Sequence, residues 1–561
     1  MQEFIYYNKN GLDFPLSEKI QVATSLDDIK EKSFLISNSK DVNSEFIASE
    51  IDFYIKNSQD NLSKKIQNVS KLYEINSIKF DFAQDIPQSL EISNTLMIIY
   101  DNLEEFNSFS KNLVKEEFEL YKVESKLIKK IKNSIGNFEV VVDGGNKDIV
   151  LKTSQIVWFN ENLEKKRAGV YDPNILGVDN TLDIVRKNLV TFSFKKTITY
   201  DKSICQYHER KDEICSKCSD VCPTNAITKD EQNRRLVFSL VDCITCGECV
   251  SVCPSGSLNS ANTSRDSLYE ISLFYKDTKP LIISSKANIE NINVDLKEDV
   301  LPLCIIGDIF DETMLLTYLQ VSGSSLIYFS GDISKGTLES IRIVNDIYFK
   351  KYGKIAVYLV SNEEELNDAL QKQEFIENSY YNFNQNDMKK REVFSQRLQK
   401  IVGNDDLGVV KTGPNIHYGR VLVNEANCTL CLSCVGACNV DALFANESDF
   451  TLRVNPSLCT ACGYCEAVCP ETDCLTIVYD EMELNPTWFK ETILAQDKLF
   501  ACVECGVEFA TTKAIEKIAS KMEPIFAKQS PAKVRSLYCC SNCKPKVMII
   551  EELNNNAKYS N

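Results

Sequence analysis

Histidine is nearly missing from this chain, with only His208 and His417 among 561 residues. A histidine-based catalytic triad or a histidine metal centre therefore has almost no material. Long apolar runs are missing too, and none approaches the roughly 20 residues that a membrane-crossing helix needs. The opening stretch, Met1-Gln-Glu-Phe-Ile-Tyr-Tyr-Asn-Lys-Asn10, has neither a basic region followed by an apolar core nor a twin-arginine signal, so a cytoplasmic location is expected. Positive charge is in deficit. The formal net charge of -17 disfavours nucleic acid and anionic membrane as partners. Nucleotide-cradling loops of the Gly-x-Gly-x-x-Gly or Gly-Lys-Ser/Thr kind do not occur, which counts against a nucleotide-dependent enzyme.

What the chain has in quantity is cysteine, 23 residues. Cys205 is followed by Cys215-Ser-Lys-Cys218-Ser-Asp-Val-Cys222-Pro223, then by Cys243-Ile-Thr-Cys246-Gly-Glu-Cys249-Val-Ser-Val-Cys253-Pro254. This is iron-sulfur spacing. Three thiolates two residues apart wrap three corners of a cubane, and a fourth cysteine three residues on, followed by proline, turns away to a second cluster. The pattern recurs as Cys428, Cys431, Cys434 and Cys438, then Cys459, Cys462, Cys465, Cys469 and Pro470. A lone Cys-x-x-Cys is open to zinc, to a redox dithiol or to chance. Repeated triplets with crossed fourth ligands leave little room for those readings. Cysteine kept for metal ligation also argues for a reducing compartment.

These residues resemble the bacterial two-cluster ferredoxins twice over, at about 200–260 and 418–480. The resemblance implies a small pseudo-symmetric fold with two 4Fe-4S clusters in each region, four in all. Carried over, it puts Cys205, Cys215 and Cys218 with Cys253, and Cys243, Cys246 and Cys249 with Cys222. In the second region it puts Cys428, Cys431 and Cys434 with Cys469, and Cys459, Cys462 and Cys465 with Cys438. Two positions depart from the pattern. Nine residues separate Cys205 from Cys215 where the ferredoxins have two, which makes His208 a rival ligand, although a partly exposed loop histidine is the expected role. Asn439 replaces the proline after Cys438 and is expected to change turn rigidity and not cluster binding.

Around these modules the expected architecture is α/β and α+β multidomain. Residues 1–199 read as an N-terminal α/β domain, with helical spacing at Phe46–Ile55 and Leu62–Ile75, a buried strand at Thr95–Tyr100 and a helix from Leu103 to Val114. Phe138–Asp143, Gly144-Gly145 and Asp148–Lys152 read as a hairpin. The first ferredoxin module covers 200–262, opening with the strand near Tyr200 and containing a hairpin of Ala226-Ile227 with Arg235–Phe238. Residues 263–402 alternate strands at 280–284, 301–306, 325–329 and 354–360 with helices at 311–321, 335–351 and 362–376, the pattern of a parallel sheet with crossover helices. Through Cys304-Ile-Ile-Gly307 and Leu326-Ile-Tyr-Phe-Ser-Gly331 this domain resembles the small α/β subunit that joins hydrogenases to heterodisulfide-reductase-type complexes. Cys304 alone cannot hold a cluster and is expected to be a core cysteine in a docking scaffold. The second module covers 403–480, with His417 in a packing or capping role and Cys474 in packing.

A zinc-ribbon-like region, 481–561, is expected to follow. Cys502-Val-Glu-Cys505 and Cys540-Ser-Asn-Cys543 are two Cys-x-x-Cys knuckles, the material for a tetrahedral thiolate site, with zinc as the expected ion. A redox dithiol pair or a rubredoxin-like iron site uses the same residues, and Cys539 beside Cys540 leaves the fourth ligand ambiguous. The helix between them, about 511–522, should end at Pro524.

The whole order of motifs, ending in Arg535-Ser-Leu-Tyr-Cys-Cys-Ser-Asn-Cys-Lys-Pro-Lys-Val-Met548, looks like a family of large bacterial iron-sulfur proteins often encoded beside molybdenum- or tungsten-dependent formate dehydrogenases. The resemblance implies electron transfer to or from a redox partner such as formate dehydrogenase, as a carrier or accessory subunit of an oxidoreductase more than as a catalyst itself, with an enzyme holding a substrate pocket in 1–199 or 263–402 left open. An assembly or maturation factor for such a dehydrogenase is the alternative.

Overall fold

The structure, a computed structural model, describes residues 3–29, 33–113, 117–211 and 213–559. The chain divides into two compact units: Met1–Lys202 with Tyr207–Glu209 and Ser216–Asp387, and Ser203–Gln206 with Arg210–Cys215 and Met388–Asn561.

The first unit begins with a parallel sheet in the spatial order Ile20–Ala23, Phe4–Tyr7, Phe34–Ser37, Ser44–Ile47. All four side chains of Phe4–Tyr7 are buried, as suits a parallel strand covered on both faces. The helical stretch expected from Phe46 splits here into the end of strand Ser44–Ile47 and a helix Ser49–Asn57, followed by Leu62–Phe82. A second parallel sheet centres on Thr95–Tyr100, flanked by Glu119–Glu124 and by Gln155–Trp158 with Val170–Tyr171 outside it. The helix after it starts in a capping box made by Asn102 and Glu105 and runs Leu103–Ser110. Val114, its expected end, lies outside the described residues. Phe138–Asp143 and Asp148–Thr153 pair antiparallel, with Asp143 accepting from the Gly145 amide at 2.9 Å across the turn.

Two strand pairs frame the first cysteine region. Ile198–Tyr200 pairs antiparallel with Leu258–Ser260, and Ile227–Asp230 forms a hairpin with Arg235–Phe238. The next sheet is parallel, in the order Val300–Ile305, Lys279–Ser284, Leu326–Phe329, Val357–Val360, with helices Glu312–Ser322, Lys335–Tyr352 and Glu363–Lys372. The last helix stops at Lys372 and not at 376, because Gln373 turns to an extended backbone and Phe375 bridges to Ser324.

In the second unit, helix Lys390–Val402 precedes a compact β region. Gly419–Val423 pairs with Leu475–Tyr479, while Leu443–Asn446, Thr451–Val454 and Thr492–Gln496 form a three-stranded sheet. The chain ends in a small ribbon, Leu499–Ala501 with Glu508–Thr511, and helices Thr512–Phe526, Pro531–Ser536 and Lys544–Tyr559. Pro524 does not end its helix as the sequence suggested; it sits inside the last turn, and the helix continues to Phe526.

Candidate iron-sulfur and thiolate metal sites

Three Cys-x-x-Cys-x-x-Cys loops share one backbone form. The residues on either side of the middle cysteine are left-handed: Thr245 (φ 56°) and Gly247 (86°), Leu430 (52°) and Leu432 (59°), Ala461 (49°) and Gly463 (86°). Alternating handedness turns successive amides to one side, making a concave anion seat suited to a cluster's sulfur atoms. Two of the three loops place glycine after the middle cysteine, where a left-handed backbone is unstrained; Leu432 departs from that.

In the first unit Cys222, Cys243, Cys246 and Cys249 line one cavity, walled by Ile198, Ile227, Val250, Ile306 and Ile309. The Thr197 hydroxyl stands 3.2 Å from the Cys243 sulfur. Burial pushes the Cys246 and Cys249 thiols up, and the neighbouring sulfurs push the same way. The loop is held by the parallel sheet's edge: the Asp308 amide donates to the Cys246 carbonyl at 3.0 Å, and a Cβ on Gly247 would lie 2.6 Å from Asp308 backbone atoms. Asp308 is itself fully buried and ion-paired to Lys286 at 3.0 Å. Of the other cysteines of this region, Cys218 and Cys253 stand in the first unit, and the Cys253 sulfur accepts from the Leu258 amide at 3.5 Å.

In the second unit Cys428, Cys431, Cys434 and Cys469 line a second cavity. Burial and the other three sulfurs push the Cys434 thiol up to about 12. Cys438, Cys459 and Cys462 all act on Cys465; burial first, then Cys462 and Cys438 against the Ala461 amide, raise Cys459 to about 12. The Ala461 amide points at the Cys459 sulfur at 3.3 Å. Arg210 and Arg391 face this last group and oppose the shifts of Cys462 and Cys459. Cys205 and Cys215 also belong to this unit; Cys205 is buried, and the Asn439 amide donates to its carbonyl at 3.2 Å. Asn439 thus ties Ser203–Cys205 to the second module, a role not legible from a missing proline.

These donor sets fit 4Fe-4S clusters: thiols converge, the walls are largely apolar, and backbone amides are aimed at sulfur. Cys474, expected to be a packing residue, lines the second cavity beside Cys428 and Cys469. Cys304, expected in the core, is half-buried with its thiol toward Ser49 and Glu50. His208 is half-buried, and its Nδ1 has no hydrogen-bond partner among the described residues. His417 Nδ1 lies 3.0 Å from Asp480.

At the C-terminus the sulfurs of Cys502, Cys505, Cys540 and Cys543 all lie within 4.8 Å of one another. The Cys540 amide donates to the Cys502 sulfur at 3.3 Å. Burial raises the Cys502 thiol, but the amides of Cys540, Glu504 and Cys505 outweigh it and bring it down to about 6. Cys539 is buried with its thiol toward the Arg535 carbonyl at 3.3 Å. The set has the donor type and closeness of a four-coordinate thiolate site.

Comparison with known proteins agrees with the iron-sulfur geometry. Residues 214–257 match a 4Fe-4S dicluster domain, and residues 420–470 match another. The archaeal-type glutamate synthases (NADPH) of Thermotoga sp. (strain RQ2) and Thermotoga maritima are each 29% identical to the chain over 73 residues, 13% of this chain and 14% of theirs. The chain therefore matches only a small part of the length of those relatives. Two 4Fe-4S dicluster domains, set in a mixed α/β multidomain chain, make this an iron-sulfur protein of ferredoxin type.

Proposed function

We propose that the chain is an electron-transfer protein carrying four 4Fe-4S clusters, two per ferredoxin module, with a zinc ion in the C-terminal thiolate site. The observation that carries three of the four clusters is the grouping of Cys222 with Cys243, Cys246 and Cys249, of Cys469 with Cys428, Cys431 and Cys434, and of Cys438 with Cys459, Cys462 and Cys465; the fourth, on Cys205, Cys215, Cys218 and Cys253, rests on the cysteine spacing and the ferredoxin resemblance. In each set the fourth cysteine comes from the partner motif, the crossed pattern that brings two clusters close together. Bound clusters supply one-electron chemistry. The chain supplies thiolates, apolar walls that exclude water, and amide or hydroxyl donors such as Ala461 and Thr197 that stabilise negative charge on sulfur.

The partner is a redox enzyme, and the order of motifs favours a formate dehydrogenase. A cytoplasmic setting belongs to the same proposal, since it keeps 23 cysteines reduced; among the described residues no helix is long and apolar enough to cross a membrane. In this reading the first module spans 200–262, between α/β domains at 1–199 and 263–402, and the second spans 403–480 and is followed by the zinc ribbon at 481–561.

Anaerobic purification followed by iron, sulfide and zinc counts and electron paramagnetic resonance tests the reading. About sixteen iron and about one zinc per chain are expected. Reduced clusters that a formate dehydrogenase reoxidises, or oxidised ones that it reduces with formate, support the partner. Clusters that exchange electrons with no such enzyme, but only with other redox proteins, overturn it.

A further inference from the structure

Five cysteines, not four, surround the cavity of Cys428, Cys431, Cys434 and Cys469. The fifth, Cys474, is 4% exposed and borders the cavity together with Cys469 and Cys428. Its place is fixed by the backbone. Asp473 is left-handed (φ 52°), the Asn427 side chain donates to the carbonyls of Thr472 and Asp473, and the Asn424 amide donates to the Cys474 carbonyl at 2.7 Å. The strand Leu475–Tyr479 then leads away. The short segment Cys469-Pro-Glu-Thr-Asp-Cys474 thus presents a thiol at each end to one cavity.

The contrast with the first unit is informative. There, the cavity of Cys222, Cys243, Cys246 and Cys249 is lined by no fifth cysteine among the described residues, and the Thr197 hydroxyl stands beside Cys243. A hydroxyl can donate to a thiolate but is a poor ligand for iron beside sulfur. A thiol can do both.

We propose that Cys474 is a reserve ligand for the cluster of Cys428, Cys431, Cys434 and Cys469, able to take over the iron that Cys469 holds. In the exchange the Cys474 thiol gives its proton to solvent and its thiolate electron pair to iron. The Cys469 sulfur leaves with the pair of its own iron bond and takes up a proton, so no electron is transferred. The site then survives loss of Cys469 as a ligand. The inference rests on a 4Fe-4S cluster occupying this cavity.

The test compares full-length wild type, Cys469→Ala, Cys474→Ala and Cys469→Ala/Cys474→Ala after anaerobic reconstitution with iron and sulfide, using iron counts and electron paramagnetic resonance. Cys469→Ala is expected to keep the wild-type iron content with a changed spectrum for one cluster, and Cys474→Ala to keep it as well. The double variant is expected to lose about four iron atoms. The neighbouring cluster of Cys438, Cys459, Cys462 and Cys465 reports whether the module is still folded. Loss of the same iron from Cys469→Ala as from the double variant, with that neighbour intact, overturns the proposal. Should Cys469→Ala lose both clusters, Cys469→Val with and without Cys474→Ala repeats the comparison, and equal loss of this one cluster there overturns it too. A wild type lacking this cluster would instead refute the four-cluster reading.

Discussion

Arg210 lies over the ring of Tyr464, its guanidinium carbon 4.6 Å from the ring centroid, and its Nη1 donates to the Ala437 carbonyl at 2.8 Å. Tyr464 stands between Cys462 and Cys465, and Ala437 precedes Cys438, so the contact fixes a cation beside one cluster seat. Arg391, 3% exposed and 3.7 Å from the centroid of the Tyr418 ring, adds a second charge from another side.

A cluster on four thiolates is anionic, and one more electron makes it more so; fixed cations in a low-dielectric setting therefore favour the reduced form. Arg210→Met should lower the midpoint potential of one cluster and leave the others in place. Each tenfold change in the equilibrium is about 59 mV for one electron. Potentiometric titration followed by electron paramagnetic resonance reads this directly, and four unchanged potentials would remove Arg210 from the list of tuning residues.

Much of this arrangement could be read from the chain before any coordinates. Cysteine spacing is a local property, so the triplets and their crossed partners are legible; the strands of the middle sheet announce themselves as short apolar runs such as the buried Leu326–Phe329. Arg210, by contrast, lies more than 200 residues from Ala437 and Tyr464. No periodicity brings such residues together. Cys474 packs in the core of its module as expected, but its place at the cavity was not legible for a related reason: one cysteine beyond a completed motif has no spacing to interpret, and it follows the left-handed Asp473. Pro524 misled because proline lacks a donor but still fits a last turn whose other hydrogen bonds persist, as the Ala527 amide to the Glu523 carbonyl shows.

Gly247 carries a backbone and a packing demand at once. Its φ of 86° suits glycine, and an added Cβ would lie 2.6 Å from the Asp308 backbone. Gly247→Ala should therefore push the Cys246 loop off the sheet edge and lower iron retention at Cys222, Cys243, Cys246 and Cys249. The clusters of the second module should be unaffected. Iron counts with spectral assignment check it, and full retention of all clusters would show that the loop tolerates the shift.

Asp308 is the buried anchor of the same edge. Its carboxylate accepts from Tyr328 at 3.1 Å, from the Ser330 hydroxyl at 3.2 Å and from the Ser334 amide at 3.2 Å, and pairs with Lys286. Removing one partner of a buried pair costs about 3–5 kcal/mol. Because the Lys286 side chain keeps 23% exposure and can be rehydrated, Asp308→Ala should fall near the lower end. Hydrogen exchange across 279–360 should show the loss as earlier opening of that sheet; protection equal to wild type would contradict it.

The C-terminal knuckles separate two chemistries that begin from the same four thiols. Zinc has no accessible redox change, and its thiolate bonds contribute folding free energy outright. Cys502 already lies low, at about 6, because three amides point at its sulfur, so a divalent cation meets a site prepared for negative charge. The adjoining core is small: Cys502, Cys539, Cys540, Cys543 and Val547 with Phe509 and Ala532 beside them. Such a core depends on a cross-link, since few apolar groups are there to hold it. Cys505→Ser should therefore release zinc, and limited proteolysis should cut within 500–545, while the cluster potentials stay where they were. A chelator strong enough to strip zinc should reproduce the cleavage in the wild type. A dithiol pair would behave in the opposite way: no zinc, a disulfide on mild oxidation, protection kept in the serine variant, and a changed electron count in the redox titration. That set of results would replace the structural zinc with a fifth redox centre.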